Sequence, residues 1–316
     1  MGEIESYPVV IIGGGPAGLT AAYELVKQGI RPIVLEKADK VGGLARTETY
    51  KGFRFDMGGH RFFTKSEDVK KMWDEVLGSD FLVRPRSSRI YYGRKFFHYP
   101  LRPLNVLINL GIWESALIVL SYLRWQLFPY RHEETFEQWV TNRFGKRIFM
   151  AFFKTYTEKI WGIPCSELKA EWAAQRIKDL SLKTVLLHMF SKPDTTIKSL
   201  IEEFHYPRFG PGMMWNAVKD RLERQGAVVR LNTEVVGIAR VGSRIERVVV
   251  SCNGHTESIQ GTHFISSMPV TEFIKKLDSP PPASLRAAEK LHYRDFLTVC
   301  LIVKKPDLFP DNWIYI

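Results

Sequence analysis

The chain has 316 residues and 36.5 kDa, enough for two domains with separate cores, and its 45% hydrophobic and 25% charged content is that of a globular protein. Lys+Arg 45 against Asp+Glu 34 gives a net charge of +11 and a pI near 9.5, which favours anionic partners: phosphorylated substrates, nucleotides or an acidic membrane surface. The three cysteines, Cys165, Cys252 and Cys300, lie far apart, which argues against a disulfide framework and a zinc site; no His/Cys/Asp/Glu cluster has metal-ligand spacing, and no motif points to nucleic acid.

The first element is the one that organises the rest. Val9-Val10-Ile11-Ile12 is an apolar run of one buried strand, and Gly13, Gly15 and Gly18 follow it in the pattern G-x-G-x-x-G, with Pro16 and Ala17 inside. Gly13 permits a tight turn, Gly15 lets the backbone approach a pyrophosphate, and Gly18 lets a helix pack close to the strand. The helix is expected over Leu19 to Gln28, stopped by Gly29. A second strand, Ile33-Val34-Leu35, ends on Glu36, whose carboxylate can accept hydrogen bonds from a ribose 2′-hydroxyl and repels a 2′-phosphate. Strand, motif, helix, strand and acid in this order define a dinucleotide-binding βαβ unit and leave NAD and FAD both open.

The next stretch chooses between them. Lys37 to Thr47 carries Gly42, Gly43, Leu44 and Arg46, and Tyr50 to His60 carries Asp56, Gly58, Gly59 and His60. This resembles the flavoprotein superfamily of amine oxidases, protoporphyrinogen oxidases and UDP-galactopyranose mutases, which carry Gly-Gly-x-x-x-Thr after the ribose acid and then a D-x-G-G or D-x-G-x-H stretch. The resemblance implies FAD as cofactor and an α/β architecture: a Rossmann-like FAD-binding domain interrupted by an α+β substrate domain. It nominates Gly13, Gly15, Pro16, Ala17, Gly18, Glu36, Lys37, Gly43, Leu44, Arg46, Gly58 and Gly59 as cofactor-binding. His60 is the catalytic candidate, either approaching the flavin or serving as a structural hydrogen-bonding group.

Ser66 to Leu77 is a helix with Ser66 as N-cap and Gly78 as stop. Arg89 to Tyr92 and Lys95 to Tyr99 read as short strands around a Gly93-Arg94 turn. Leu104 to Phe128 is the most apolar region, interrupted by Asn105, Asn109, Glu114 and Arg124, and no uncharged run in it reaches the roughly 18–20 residues of a membrane span. Core helices are the expectation; an amphipathic patch in peripheral contact with a membrane is the alternative.

Thr135 and Gln138 form a capping-box pattern for a helix ending before Gly145. Phe152 to Gly162, with Glu167-Leu168 and Arg176 beyond, resembles UDP-galactopyranose mutase more narrowly. In that family the matching Tyr, Trp and Arg line the nucleotide-sugar pocket, which nominates Tyr156, Trp161 and Arg176 as substrate-binding. An aromatic face for a base or sugar and an Arg fork for a diphosphate suit that task.

Arg208 to Trp215 reads as the return to the first domain, with a helix over Trp215 to Gln225. Val235 matches the superfamily valine that meets the adenine of FAD through its backbone. Thr262 to Ser266 is expected as one more buried strand, with Ser267 at its carboxyl end, and Phe296 to Val303 as a strand of the substrate domain. The domains are then 1–83 and 206–272 for FAD, and 84–205 and 273–316 for substrate. Relative to the superfamily the chain reads as C-terminally shortened, either a fragment or a shortened protein.

Three functions stay open. The first is an FAD-dependent oxidoreductase taking hydride from an organic substrate. The second is a redox-neutral mutase acting on a sugar nucleotide with reduced FAD. The third is a non-catalytic nucleotide-binding or accessory protein. A small-molecule substrate, anionic or nucleotide-linked, and a cytoplasmic location with peripheral membrane contact are the matching expectations.

Overall fold

A computed structural model describes residues 5–99, 103–176 and 203–316. In chain order the elements are β1 (Glu5–Ile12), α1 (Pro16–Lys27), β2 (Ile33–Leu35), β3 (Thr47–Tyr50), β4 (Phe53–Asp56), α2 (Glu67–Leu77), β5 (Phe81–Pro85), β6 (Ser88–Tyr92) and β7 (Lys95–His98). Then come α3 (Pro103–Leu110), α4 (Ile112–Leu127), α5 (Phe136–Phe144), the short α6 (Lys146–Ile148), a π-helical turn (Phe149–Lys154), α7 (Thr155–Trp161) and α8 (Ala170–Arg176). The last are β8 (Glu203–Pro207), α9 (Gly212–Arg224), β9 (Val228–Arg230), β10 (Thr233–Val241), β11 (Arg244–Cys252), β12 (His255–Ser266), α10 (Val270–Lys276), α11 (Pro282–Glu289) and β13 (Trp313–Tyr315). The chain divides into two compact units, 1–83 with 205–302, and 84–204 with 303–316.

The first unit is built on a six-stranded sheet in the order β10-β11-β12-β1-β2-β9. β12, β1, β2 and β9 are parallel, and β10, β11 and β12 form an antiparallel meander on one side. The apolar run of β1 is continuous because both faces of this strand are covered. Val9 and Ile11 join a core with Leu19 and Ala22 of α1 and Met214, Val218 and Leu222 of α9. Val10 and Ile12 point the other way, into a core with Ile33, Val248 and Ile259. α1 therefore lies over the strand that feeds it, and its N-terminus opens at the carboxyl end of β1.

The second unit has a three-stranded sheet, β13-β6-β7, and a helical core of Phe136, Trp139, Val140, Phe149 and Cys165. The capping box forms as the sequence predicts: Thr135 Oγ1 accepts the Gln138 N–H, and Gln138 Oε1 accepts the Thr135 N–H at 3.1 Å.

Four expectations are corrected. Leu104 to Phe128 does form helices, α3 and α4, but Ile118 is the one large apolar side chain of α4 that is buried. Thr262 to Ser266 is not a separate buried strand; it continues β12 from His255, and most of it is exposed. Phe296 to Val303 forms no strand and its apolar side chains are exposed, because no neighbouring strand pairs with it among the described residues. Residues 273–302, assigned above to the substrate domain, group with the first unit, through α10 and α11.

Candidate functional site

Two glycine-rich turns meet at the carboxyl end of β1. The Gly42 N–H donates to the Gly14 carbonyl at 2.8 Å, and a Cβ built on Gly15 would lie 3.7 Å from Gly43 Cα. Gly13 and Gly18 of the first turn are each held to their type by a different neighbour. Gly13 has φ +104, and a Cβ there would collide with Ser267 Oγ; a Cβ on Gly18 would collide with the Gly13 carbonyl oxygen. Gly15 has φ −80 and only ordinary van der Waals neighbours, so the fold alone does not require a glycine at that position. Ser267, at the end of β12, is tied in by donating its N–H to the Ile12 carbonyl at 2.9 Å.

α1 starts at Pro16, inside the motif and three residues earlier than the sequence suggests, with no side chain capping it. The first-turn N–H groups of a helix have no partner within it, and the helix dipole adds partial positive charge there. An uncapped helix start at a glycine turn is an anion site of the kind that holds a diphosphate.

Glu36 is buried beside it. Its Oε2 accepts the Gly14 N–H at 2.7 Å and its Oε1 the Ala38 N–H at 2.9 Å. Each carboxylate oxygen retains a second lone pair, so ribose hydroxyls can be accepted without breaking either bond. Lys37 and Leu44 are exposed. Arg46 is not entirely free: its Nε donates to Glu48 Oε1 at 2.6 Å, leaving the two terminal nitrogens of the guanidinium. Lys40 and Arg46 together hold the Glu48 carboxyl below its ordinary range, Lys40 contributing most.

β3 and β4 form a hairpin that delivers Asp56, Gly58, Gly59 and His60. Gly58 has φ +97, and a Cβ there would touch the Phe296 ring at 3.4 Å. His60 Nδ1 is buried and has no hydrogen-bond partner among the described residues, an orphaned polar atom of the kind a bound group satisfies. Beside it Asp56 accepts the hydroxyl hydrogen of Tyr206. Burial raises the Asp56 carboxyl above its ordinary value, against the pull of Tyr206 and of His60, and burial followed by the Asp56 contact raises the Tyr206 phenol. Thr47 Oγ1 accepts the Gly212 N–H at 2.9 Å, fixing the hairpin to the start of α9. Thr47 is the Thr of the Gly-Gly-x-x-x-Thr motif, but its bond to Gly212, like the Tyr206–Asp56 pair, is not picked out by the sequence, since each partner is more than a hundred positions away.

Val235 is buried in β10 and its carbonyl accepts Lys276 Nζ at 2.7 Å. In the second unit Tyr156 and Trp161 stand at opposite ends of α7 and make different ring contacts. Tyr156 meets Tyr315 edge-on with centroids 5.2 Å apart, and Trp161 meets Trp172 at 4.8 Å. Burial, helped by Tyr315 and Tyr99, pushes the Tyr156 phenol up to about 12. Arg176 closes α8. Among the described residues no group of His, Cys, Asp and Glu could hold a metal ion, and no helix is long and apolar enough to cross a membrane.

A βαβ unit with paired glycine turns, a buried acid at the end of its second strand and an uncapped helix start defines a dinucleotide-binding protein of the flavoprotein type. The chain belongs to the flavin containing amine oxidoreductase family, which it matches over residues 16–313, and the cofactor of this class is FAD. It is 33% identical over 110 residues to coproporphyrinogen III oxidase of Mycobacterium tuberculosis, covering 34% of this chain and 24% of that protein. It is 37% identical over 84 residues to putrescine oxidase of Kocuria rosea, covering 27% of this chain and 17% of that one. Among solved structures it is similar to reduced UDP-galactopyranose mutase, with a TM-score of 0.73 at 21% identity, covering 91% of this chain and 62% of the mutase. The chain thus spans about a quarter or less of these two curated relatives and less than two thirds of the mutase.

Proposed function

We infer that the protein is an FAD-dependent oxidoreductase that oxidises a small organic molecule. FAD, when bound, supplies a two-electron acceptor for hydride from a substrate C–H bond. The observation that carries this reading is the cradle: two glycine turns joined by the Gly42–Gly14 hydrogen bond, beside an uncapped helix start and the buried Glu36 carboxylate.

In this reading the N–H groups of Gly15, Ala17 and Gly18 hold the diphosphate, and Pro16, which has no N–H, presets the helix direction. Glu36 takes the adenosine ribose, and Lys37 and Val235 border the adenosine. The Gly43-Leu44 turn and the terminal nitrogens of Arg46 complete the diphosphate contact. Gly58 and Gly59 let the backbone come close to the flavin ring, and His60 offers its unpaired Nδ1 to flavin or substrate. Tyr156, Trp161 and Arg176 are the substrate-side residues. Tyr156 remains a neutral hydroxyl at physiological pH, since its phenol is pushed up to about 12.

The test is a visible spectrum of the purified protein with FAD, followed anaerobically as an amine, a porphyrinogen or a polyene is added. Bleaching of the oxidised flavin band by one of these donors is the expected result. A flavin that no donor reduces, but whose spectrum shifts with UDP, would replace this reading with the redox-neutral sugar-nucleotide mutase. A folded protein that takes up no FAD would leave the non-catalytic alternative.

A further inference from the structure

Helix α4 meets the protein through a narrow, mixed side: Ile118 is buried, Gln126 Nε2 donates to the Asn142 carbonyl at 2.8 Å, Ser121 Oγ accepts the Arg147 N–H at 3.3 Å, and Ser115 Oγ is buried. Its apolar side faces outward. Ile112 is 79% exposed, Trp113 85% and Leu127 74%, and Leu120 and Leu123 continue the stripe between them at helical spacing. α3 joins α4 through the single residue Gly111, and its Leu104 and Ile108 are exposed as well. In all, eleven large apolar side chains between Leu104 and Phe128 are exposed, more than a water-facing surface ordinarily shows in one place.

The segment that carries this face is basic in sequence: residues 84–131 contain eight Lys/Arg and one acidic residue, Glu114, although Arg89 is ion-paired with Asp311 and Glu114 with Arg147. Arg94 is exposed in the β6–β7 turn and Lys95 at the start of β7, and the Lys95 ammonium reaches the Asn109 carbonyl in the last turn of α3. Arg124 and Arg131 are exposed at the far end of α4. Exposed Tyr91 and Phe96 add aromatic rings beside Lys95, where a membrane–water boundary would be. Two copies of this surface would set like charges against each other, which disfavours a homodimer through it.

We propose that the apolar face of α3 and α4 seats on an anionic lipid bilayer. The helices lie in the plane of the headgroups, since neither is long enough to cross. The basic residues around the apolar stripe meet the lipid phosphates, and Trp113 and Ile112 enter the acyl boundary. None of its residues is among those assigned to FAD, so this reading stands or falls apart from the oxidoreductase one.

The test is vesicle flotation of the full chain, comparing neutral phosphatidylcholine vesicles with vesicles holding about 30 mol% phosphatidylglycerol. Flotation with the anionic vesicles is expected, weakened by salt at about 0.5 M. Brominated acyl chains should quench the fluorescence of Trp113. The double substitution Ile112→Ser, Trp113→Ser should lower the partition coefficient roughly tenfold or more, with an unchanged circular dichroism spectrum because both side chains are exposed. Failure to float, equal flotation on neutral vesicles, or flotation indifferent to the double substitution would each overturn the proposal. So would a concentration-dependent dimer, seen by light scattering and abolished by the double substitution, in a protein that ignores vesicles.

Discussion

The variant Gly15→Ala separates what the fold needs from what the cofactor needs. Gly15 has φ −80 and ψ −177, a conformation alanine adopts freely, and the added Cβ would meet Gly43 Cα at 3.7 Å and Gly43 N at 3.9 Å. Losing glycine at an N-cap costs up to about 1 kcal/mol, and restricting the unfolded chain returns about 0.4–1 kcal/mol, so stability should hold within about 0.5 kcal/mol. The methyl nevertheless enters the space between the two glycine turns, where the diphosphate is to lie. Losing one charge-assisted hydrogen bond, about 1.5–3 kcal/mol, is roughly a ten- to hundredfold loss of FAD affinity. Gly18→Ala is the contrast: its Cβ collides with the Gly13 carbonyl oxygen and sits 3.1 Å from Ile11 Cγ2. Since the obstacle is backbone, it should destabilise by at least about 1–3 kcal/mol, at about 2–4 °C of Tm for each kcal/mol. Flavin-fluorescence titration and thermal melts without FAD read the two effects. A Gly15→Ala protein that binds FAD as tightly as the parent would refute the diphosphate assignment.

Two further outcomes follow from a buried and a half-buried carboxylate. Glu36→Gln keeps the shape but has one acceptor oxygen where the carboxylate serves the Gly14 and Ala38 amides. One amide is left facing an NH2 group, so urea unfolding should show about 1–3 kcal/mol lost, and an unchanged midpoint would count against the two-bond geometry. Asp56 carries a carboxyl raised above 3.8 in the folded state, chiefly by burial. The folded state then holds more proton than the unfolded one as pH climbs past 3.8, so this group's contribution to stability falls through the folded pKa and stays lower at neutral pH. Asp56→Asn, which still accepts from Tyr206, should therefore be the more stable protein at pH 7 and lose that advantage near pH 4; melts showing the opposite trend would refute the raised carboxyl.

The local signals were fully readable from the chain. The turn at Gly13, the Glu36 acid, the Ser66 cap and the Thr135–Gln138 box each involve residues within one short stretch, or one βαβ unit, whose chemistry dictates one conformation. Where helices begin was less readable. α1 starts at Pro16 and α9 at Gly212, because Pro and Gly, poor inside a helix, cost little in its first turn.

What only the tertiary structure decided concerns partners far apart in sequence and the side of a helix that meets solvent. The Tyr206–Asp56 contact joins residues 150 positions apart, and no local pattern marks either as the other's partner. Phe296 to Val303 has strand composition, but a strand exists only where a neighbour supplies hydrogen bonds. Periodicity likewise gives α4 an apolar stripe without saying what that stripe touches. The sequence determined that Trp113, Leu120 and Leu127 share a face; the packing of Ser121, Tyr122 and Gln126 against α5 and α6 decided that this face looks outward. Helical spacing is a property of one backbone, whereas burial depends on which surfaces the remaining chain brings against it.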